Sequence, residues 1–426
     1  MTIEELYKLF KESEGVSTDS RKITTNSIFF ALKGEHFNGN QFAAQAIAQG
    51  ASYAVVDEET EGPTGKLIKV ENVLETLQNL ATYHRRQFSI PVIGITGSNG
   101  KTTTKELIAS VLGSALKVHF TQGNFNNHIG VPLTLLSTPV DTEIAVIEMG
   151  ANHVGEIAAL CKIAEPTHGI ITNIGKAHLE GFGGYEGVLR GKTELYDHVL
   201  QKGETVFINS EDKVLSNMAK RFKAPVMFPA PGDFFTCSFV EASPYVVFEV
   251  DGTSYTTQLI GKYNYNNIAG ALAIGKYFNV PLQGAIEAVC NYIPSNNRSQ
   301  VKKTERNTLI LDAYNANPGS MKASVENFAG MKADSKTVIL GDMLELGTSS
   351  KEEHAAIGQL VYEKGFNAAF FCGKEMRSAA KKCIGCMYFE KKEDLANYLQ
   401  ANPINNSTVL IKASRGIGLE TLVEFL

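Results

Sequence analysis

The sequence predicts an α/β protein of three domains whose middle domain is a parallel sheet carrying a phosphate loop. Two observations predict it. Residues 93–105, IGITGSNGKTTTK, pass from an apolar β-forming run through a glycine turn into a helix-forming run. Beyond them, strand-length apolar runs at 117–121, 144–148, 168–173 and 205–209 alternate with amphipathic helix-length segments. That alternation is the pattern of a parallel sheet with helical crossovers, and with the glycine turn it gives the layout of a P-loop NTPase.

The glycine turn carries the chemistry. Gly97 and Gly100 let the backbone approach a polyphosphate, the amides of Ser98 and Asn99 point inward, and the N-terminal end of the following helix adds positive potential where Lys101 stands. Thr102 is the candidate Mg²⁺ hydroxyl, with Thr103 beside it. The strict eight-residue Walker pattern is broken by Ile95, leaving the shorter GxxGK[ST] form. A Gly-rich turn between a core strand and a helix is the alternative, and the strand–loop–helix context disfavours it.

Taken in order, residues 1–88 read as a small mixed α/β domain, with strands near 27–31, 53–56 and 67–70 and a helix over 73–87. The central domain spans 89–296. Its rhythm breaks at 234–260, where alternating β residues and a DG pair at Asp251 and Gly252 predict a β-hairpin insert. Helix then resumes over 265–278. After the turn-rich IPSNNRSQ at 293–300, strands near Leu309, Val338, Ala369 and Val409 predict a Rossmann-like α/β domain over 297–426.

Composition narrows the function. The net charge is −5 and no basic run carries interleaved aromatics, which argues against nucleic acid as a partner. No run of about 18 apolar residues occurs, and the acidic amphipathic start is unlike a signal peptide, so no membrane insertion and a cytoplasmic (bacterial) location are expected. A monomer is expected. Of six cysteines only Cys383 and Cys386 are close, and one CxxC without a second pair or nearby histidines is a poor zinc site.

Two further residues look toward the phosphate loop. Glu148 ends the apolar strand EIAVIEM, at the sheet edge where doubly wound folds collect ligands, and a carboxylate there can hold Mg²⁺. His178 follows the next strand on the loop TNIGKAHLEGFG and is a candidate second metal ligand. A solvated strand-end acid and a loop-capping histidine are the plain alternatives. Their placement after consecutive strands favours the site.

TGSNGKTTTK, EMGANHVGEI, TNIGKAHLEGFG, GKTE at 191–194, GKYNYNNIAGA and LDAYNANPGSM together resemble the Mur ligases, the ATP-dependent amide ligases of peptidoglycan precursor synthesis. The resemblance spans nearly the whole chain. Within the family, the TQGNFNNHIGVPLTLL run from Thr121, YNANP and LGDMLELG look most like the subgroup that adds D-alanyl-D-alanine to UDP-N-acetylmuramoyl-tripeptide. The resemblance implies ATP as co-substrate and Mg²⁺ as cofactor. It implies Asn264 and Asn267 at adenine, unless Asn264 only caps its helix, with Arg298 at the ATP phosphates and Asp312 at the ribose. It places Ser20, Arg21 and Gly34 in a uridine-diphosphate module, and Asn126 and Asn127 along the muramoyl peptide. Lys412 and Ser414 of KASR would serve peptide carboxylates, with Asn315, Asn317 and Glu345 lining the dipeptide site. Lys192 matches the lysine that these enzymes carry as a carbamate (N6-carboxylysine), an anion able to ligate a second Mg²⁺; a solvated lysine paired with Glu194 is the alternative.

Some positions depart from the family pattern: Tyr263 replaces a common His, Asn297 a Gly before the arginine, Asn40 the last residue of a DGH triplet, and Ala413 a Gly. Asn297 is expected to tolerate a left-handed backbone. A diaminopimelate- or lysine-adding Mur enzyme would carry a DNPR-like segment where this chain reads YNANPGSM, and a folylpolyglutamate-type ligase would lack residues 1–88. A nucleotide-binding regulator without ligation would need the metal set broken, whereas Lys101, Glu148 and His178 are all present.

Overall fold

The computed structural model describes residues 1–294 and 298–426. Three parallel-strand sheets follow one another along the chain. In the first, Val16–Ser17, Ile28–Phe30, Tyr53–Val56 and Leu67–Lys69 lie side by side in that order, all parallel. Successive side chains of a strand point to opposite faces. Ile28 and Phe30 accordingly pack with the Ile3–Lys11 and Val73–Arg85 helices, and Phe29 packs with the Ala43–Ala48 helix. Val16–Ser17 and a two-stranded ladder, Lys33–Gly34 with Phe37–Asn38, were not expected from the sequence; two-residue strands carry no period to read.

The central sheet has six parallel strands in the order Val226–Phe228, Thr205–Asn209, His168–Ile171, Val92–Thr96, Ile144–Glu148, Val118–Phe120. Val92–Thr96 is fully buried in the middle and runs straight into the glycine turn. The Lys101–Gly113 helix leaves that turn. Glu148, the Thr172–Gly175 loop and Gly97 therefore emerge at the same sheet edge.

The insert differs from the expected hairpin. Tyr245–Val250 and Thr253–Ile260 do turn at Asp251 and Gly252, whose φ values of 49° and 78° suit a tight hairpin turn, but Ser238–Ala242 adds a third antiparallel strand. That strand is largely solvent-facing and lacks the apolar alternation that would announce it. The next helix spans Tyr263–Tyr277, two residues ahead of expectation, with Lys262 at its cap position. Asn264 therefore lies inside the helix and does not cap it; its side chain donates back to the Ile260 carbonyl, 2.8 Å.

The third sheet runs Gln300–Lys303, Thr308–Asp312, Thr408–Lys412, Lys336–Gly341, Ala368–Cys372, Met387–Phe389, with only the first pair antiparallel. Its central strand, Thr408–Lys412, comes last in the chain, and register sets Lys412 against Asp312. The left-handed backbone expected at Asn297 lies outside the described residues. No helix among the described residues is long and apolar enough to cross a membrane.

Candidate active site

A crevice of about 820 Å³ opens between the phosphate loop and the carboxyl ends of the third sheet. Gly97 (φ 145°) and Gly100 (φ 80°) shape its floor, and neither tolerates a side chain. A Cβ at Gly97 would stand 2.0 Å from Thr172 Oγ1, and one at Gly100 2.8 Å from Asn267 Oδ1. The loop is laced to the neighbouring strand end: Ser98 Oγ donates to the Gly175 carbonyl (3.0 Å), and the Asn99 amide donates to Asn173 Oδ1 (3.1 Å). Thr172 and Asn173 also donate to the Asn99 carbonyl. Sequence reading missed these two, although both sit in the TNIGK segment it had singled out. Lys101 folds back onto the Gly97 carbonyl at 2.8 Å, and burial lowers its amine from the usual lysine range against the pull of Glu148.

Glu148 is the centre of the arrangement. It is 1% exposed. Its Oε1 accepts from Thr102 Oγ1 (3.2 Å) and Asn126 Nδ2 (2.7 Å), while Oε2 is buried with no partner among the described residues. An unpaired buried carboxylate oxygen is costly, and a cation would satisfy it. Beside a threonine hydroxyl on a phosphate loop, an all-oxygen pair fits Mg²⁺, which takes one or two protein oxygens and completes its shell with phosphate and water. Thr102 and Glu148 could thus hold the metal.

The other two residues of the expected metal set have protein partners. His178, left-handed at φ 50°, turns its Nδ1 to Glu345 of the third domain. Lys192 is fully buried, donates to the Ala151 carbonyl at 3.0 Å and lies 5.0 Å from the Phe182 ring centroid. It is no solvated helix lysine, and Glu194 turns away to accept from the Gly155 and Ala158 amides. Burial, then the Lys101 cation, push the Lys192 amine well below the usual lysine range. Among the described residues no three His, Cys, Asp or Glu side chains cluster around a metal-sized point, and Cys383 and Cys386 are free thiols.

Asn264 and Asn267 line the crevice in a relay: Thr104 Oγ1 donates to Asn267 Oδ1 (3.0 Å) and Asn267 Nδ2 to Asn264 Oδ1 (2.9 Å). Tyr263 bonds Ser299 (2.7 Å), and the Ser299 amide donates to Asp312. Arg298 stacks on Tyr314, guanidinium carbon 3.5 Å from the ring centroid, with its Nε buried and unpartnered among the described residues. Thr103, Asn127 and Asn315 also line the crevice, and Asn127 Oδ1 accepts from the Ile129 and Gly130 amides where the Gly130–Leu136 helix begins. Asn317 caps the Pro318–Gly330 helix and reaches across to Asn99, Nδ2 to Oδ1 2.7 Å, so the third domain meets the phosphate loop directly. Lys176 and Glu353 add a cross-domain ion pair at 2.6 Å.

In the KASR segment the side-chain donors of Lys412 and Ser414 are engaged within the protein. Lys412 is 2% exposed, and its three N–H groups go to Asp312 Oδ2 (2.6 Å), the Asn315 carbonyl (3.2 Å) and the Asp312 carbonyl (3.4 Å). Ser414 Oγ donates to the Ala316 carbonyl (3.2 Å) and accepts from the Leu344 amide (3.0 Å). Both are committed to joining loops. In this arrangement neither offers a free donor to a carboxylate.

Ser20, Arg21 and Gly34 lie in the first domain and do not line the crevice. Ser20 is buried; Arg21 is exposed and paired with Asp19 at 2.8 Å, holding that carboxyl down to about 2. Asn40 is locked to Asp57 by two hydrogen bonds.

A phosphate loop with an unsatisfied buried carboxylate, facing a second α/β domain across a crevice, defines a nucleotide-dependent enzyme. Comparison with known proteins gives the class. The Mur ligase family catalytic domain matches residues 12–85, the Mur ligase middle domain 95–275, and the Mur ligase glutamate ligase domain 297–415. The chain belongs to the Mur ligase family. It is 35% identical to UDP-N-acetylmuramoyl-tripeptide--D-alanyl-D-alanine ligase of Bacillus subtilis (strain 168), over 97% of this chain and 93% of that protein. It is 31% identical to the Escherichia coli (strain K12) ligase of the same name, over 97% and 93%. Among solved structures, MurF from Acinetobacter baumannii superposes with a TM-score of 0.87 at 29% identity, covering 98% of this chain and 97% of that one. MurF from Thermotoga maritima in complex with ADP superposes at 0.86 and 27% identity, again covering 98% and 97%.

Proposed function

We infer that the protein joins D-alanyl-D-alanine to UDP-N-acetylmuramoyl-tripeptide at the expense of ATP, releasing ADP and phosphate, in peptidoglycan precursor synthesis. The observation that carries the reading at the site is the buried, half-satisfied Glu148 carboxylate beside Thr102 on the phosphate loop. A carboxylate is a poor acyl donor, so the γ-phosphoryl group first passes to the tripeptide's terminal carboxyl. The dipeptide amine then attacks the acyl phosphate and phosphate leaves. Every step moves negative charge, and the protein's work is positioning and electrostatics.

In this reading Lys101 and the amides of residues 97–102 cradle the phosphates. Thr102 and Glu148 would hold Mg²⁺, which when bound would neutralise charge on the phosphoryl oxygens. Lys192, if carried as the carbamate, and His178 would supply ligands for a second cation. Asn264 and Asn267 face adenine, Arg298 the phosphates and Asp312 the ribose. Asn126 and Asn127 guide the muramoyl peptide, while Asn315 and Asn317 face the dipeptide. The three domains at 1–88, 89–296 and 297–426 hold the nucleotide-sugar end, ATP and the amine respectively, in a cytoplasmic monomer. A coupled phosphate-release assay tests the reaction: release is expected only with UDP-muramoyl-tripeptide and D-alanyl-D-alanine together. Release with free lysine or diaminopimelate and the UDP-dipeptide would overturn it.

Two further outcomes follow from the module arrangement. Arg21→Ala should raise the KM for the UDP substrate roughly tenfold, the scale of one charge-assisted hydrogen bond, and barely move the KM for ATP or dipeptide. A rise mainly in the dipeptide KM would reassign the first domain. Because Arg298, within the 293–300 junction, and Asp312, beyond it, reach ATP in this reading, catalysis at reacting distances of about 3 to 3.5 Å requires the third domain to sit on the second. Small-angle scattering should show the envelope contract when ATP analogue and UDP substrate bind. An unchanged envelope in a fully active protein would refute closure.

A further inference from the structure

The reaction brings in a dipeptide with two charged ends. Its amine is consumed, so its C-terminal carboxylate is the handle by which the enzyme can hold it. Among the described residues the cations that line the third-domain side of the crevice are Arg298 and Lys412, and Arg415 stands outside that lining. Lys412 has all three N–H groups committed, and Arg298 lies flat on Tyr314 beside the phosphate loop's side of the site.

Arg415 is different. The turn that carries it is fixed by Ser414, which ties the Ala316 and Leu344 loops together. Its side chain is exposed, and its guanidinium carbon lies 5.4 Å from the centroid of Tyr314, the ring that Arg298 also covers. Tyr314 lines the crevice. Among the described residues Arg415 takes part in no ion pair and its guanidinium makes no hydrogen bond; what it does meet is that ring. A guanidinium steered by an aromatic face, with its N–H fork unspent, is suited to grip a carboxylate with two parallel hydrogen bonds. Lysine, a point charge on a flexible stem, would hold the same anion less firmly.

We propose that Arg415 binds the C-terminal carboxylate of the incoming dipeptide and so selects a free-acid acceptor. The proposal rests on the ligase reading above. It assigns the task expected of Lys412 and Ser414 to the one member of KASR whose donors are unspent.

The test compares wild type, Arg415→Ala and Arg415→Lys with two acceptors, D-alanyl-D-alanine and its C-terminal carboxamide. With the free acid, Arg415→Ala should raise the dipeptide KM about 10- to 100-fold, the range of a lost charged hydrogen bond, leaving the KM for ATP within about twofold. Arg415→Lys should fall between. With the carboxamide, wild type should already be weak, and Arg415→Ala should cost little more. An equal penalty on acid and amide, or a matching rise in the ATP KM, would overturn the assignment. A wild-type enzyme that turns over neither acceptor would instead overturn the ligase reading.

Discussion

Replacing Lys192 by alanine is expected to lower ligase turnover by about 10²- to 10³-fold, the scale of losing one preorganised charge at a phosphoryl-transfer site, while ATP still binds. The side chain is fully buried, and among the described residues its amine donates to a single partner, the Ala151 carbonyl. A cation there would repel Lys101, and burial plus that repulsion keep the amine neutral more readily than a surface lysine. The neutral amine is the form that adds CO₂: its lone pair attacks the carbon, a proton leaves, and a carbamate anion remains. The sign with pH follows. As pH falls through the lowered lysine pKa the amine protonates, the carbamate is lost, and activity falls with it. Formate or acetate added to Lys192→Ala should restore part of the turnover by supplying an anion in the vacated space. Crystallography of the wild type near neutral pH should show density beyond Nζ. A fully active Lys192→Ala protein, or an unmodified amine in the ATP complex, would rule the carbamate out.

Glu148→Gln should cost a comparable 10²- to 10³-fold or so in turnover and raise the Mg²⁺ concentration needed for half-maximal rate. The amide oxygen can still accept from Thr102 and Asn126, so the packing survives. What disappears is the charge on the orphaned Oε2. An isosteric amide that keeps both hydrogen bonds and lifts the cost of an unpartnered buried oxygen is expected to leave stability close to wild type. A thermal melt equal to or above wild type, together with a shifted Mg²⁺ titration, identifies a ligand; a lowered melt with an unshifted titration identifies a structural carboxylate instead.

Long apolar runs and the glycine turn made the central and third sheets readable, because a buried parallel strand writes itself as a continuous hydrophobic stretch. What escaped was short or half-exposed. Val16–Ser17 has two residues, Gln300–Lys303 is a polar edge strand, and Ser238–Ala242 faces solvent. At the site, residue types and loops were legible, and Glu148 with Thr102 came together. Partnerships were not. That Lys412 would be consumed by Asp312, or Asn317 would touch Asn99, depends on which strand ends neighbour one another, and strand order is not written in local sequence.

The position of Thr408–Lys412 bears on how the molecule is made. The third sheet cannot close until its last-synthesised strand slips between Thr308–Asp312 and Lys336–Gly341. The Leu426 carbonyl then accepts from Thr304 and Asn307, tying the end of the chain to the start of that domain. While the ribosome still holds residues 408–412, the first two domains are free to fold, but the third has a gap at its centre and two unpaired strand edges. A chain lacking Thr408–Lys412 would thus leave a phosphate loop with no partner across the crevice, and exposed edges inviting aggregation.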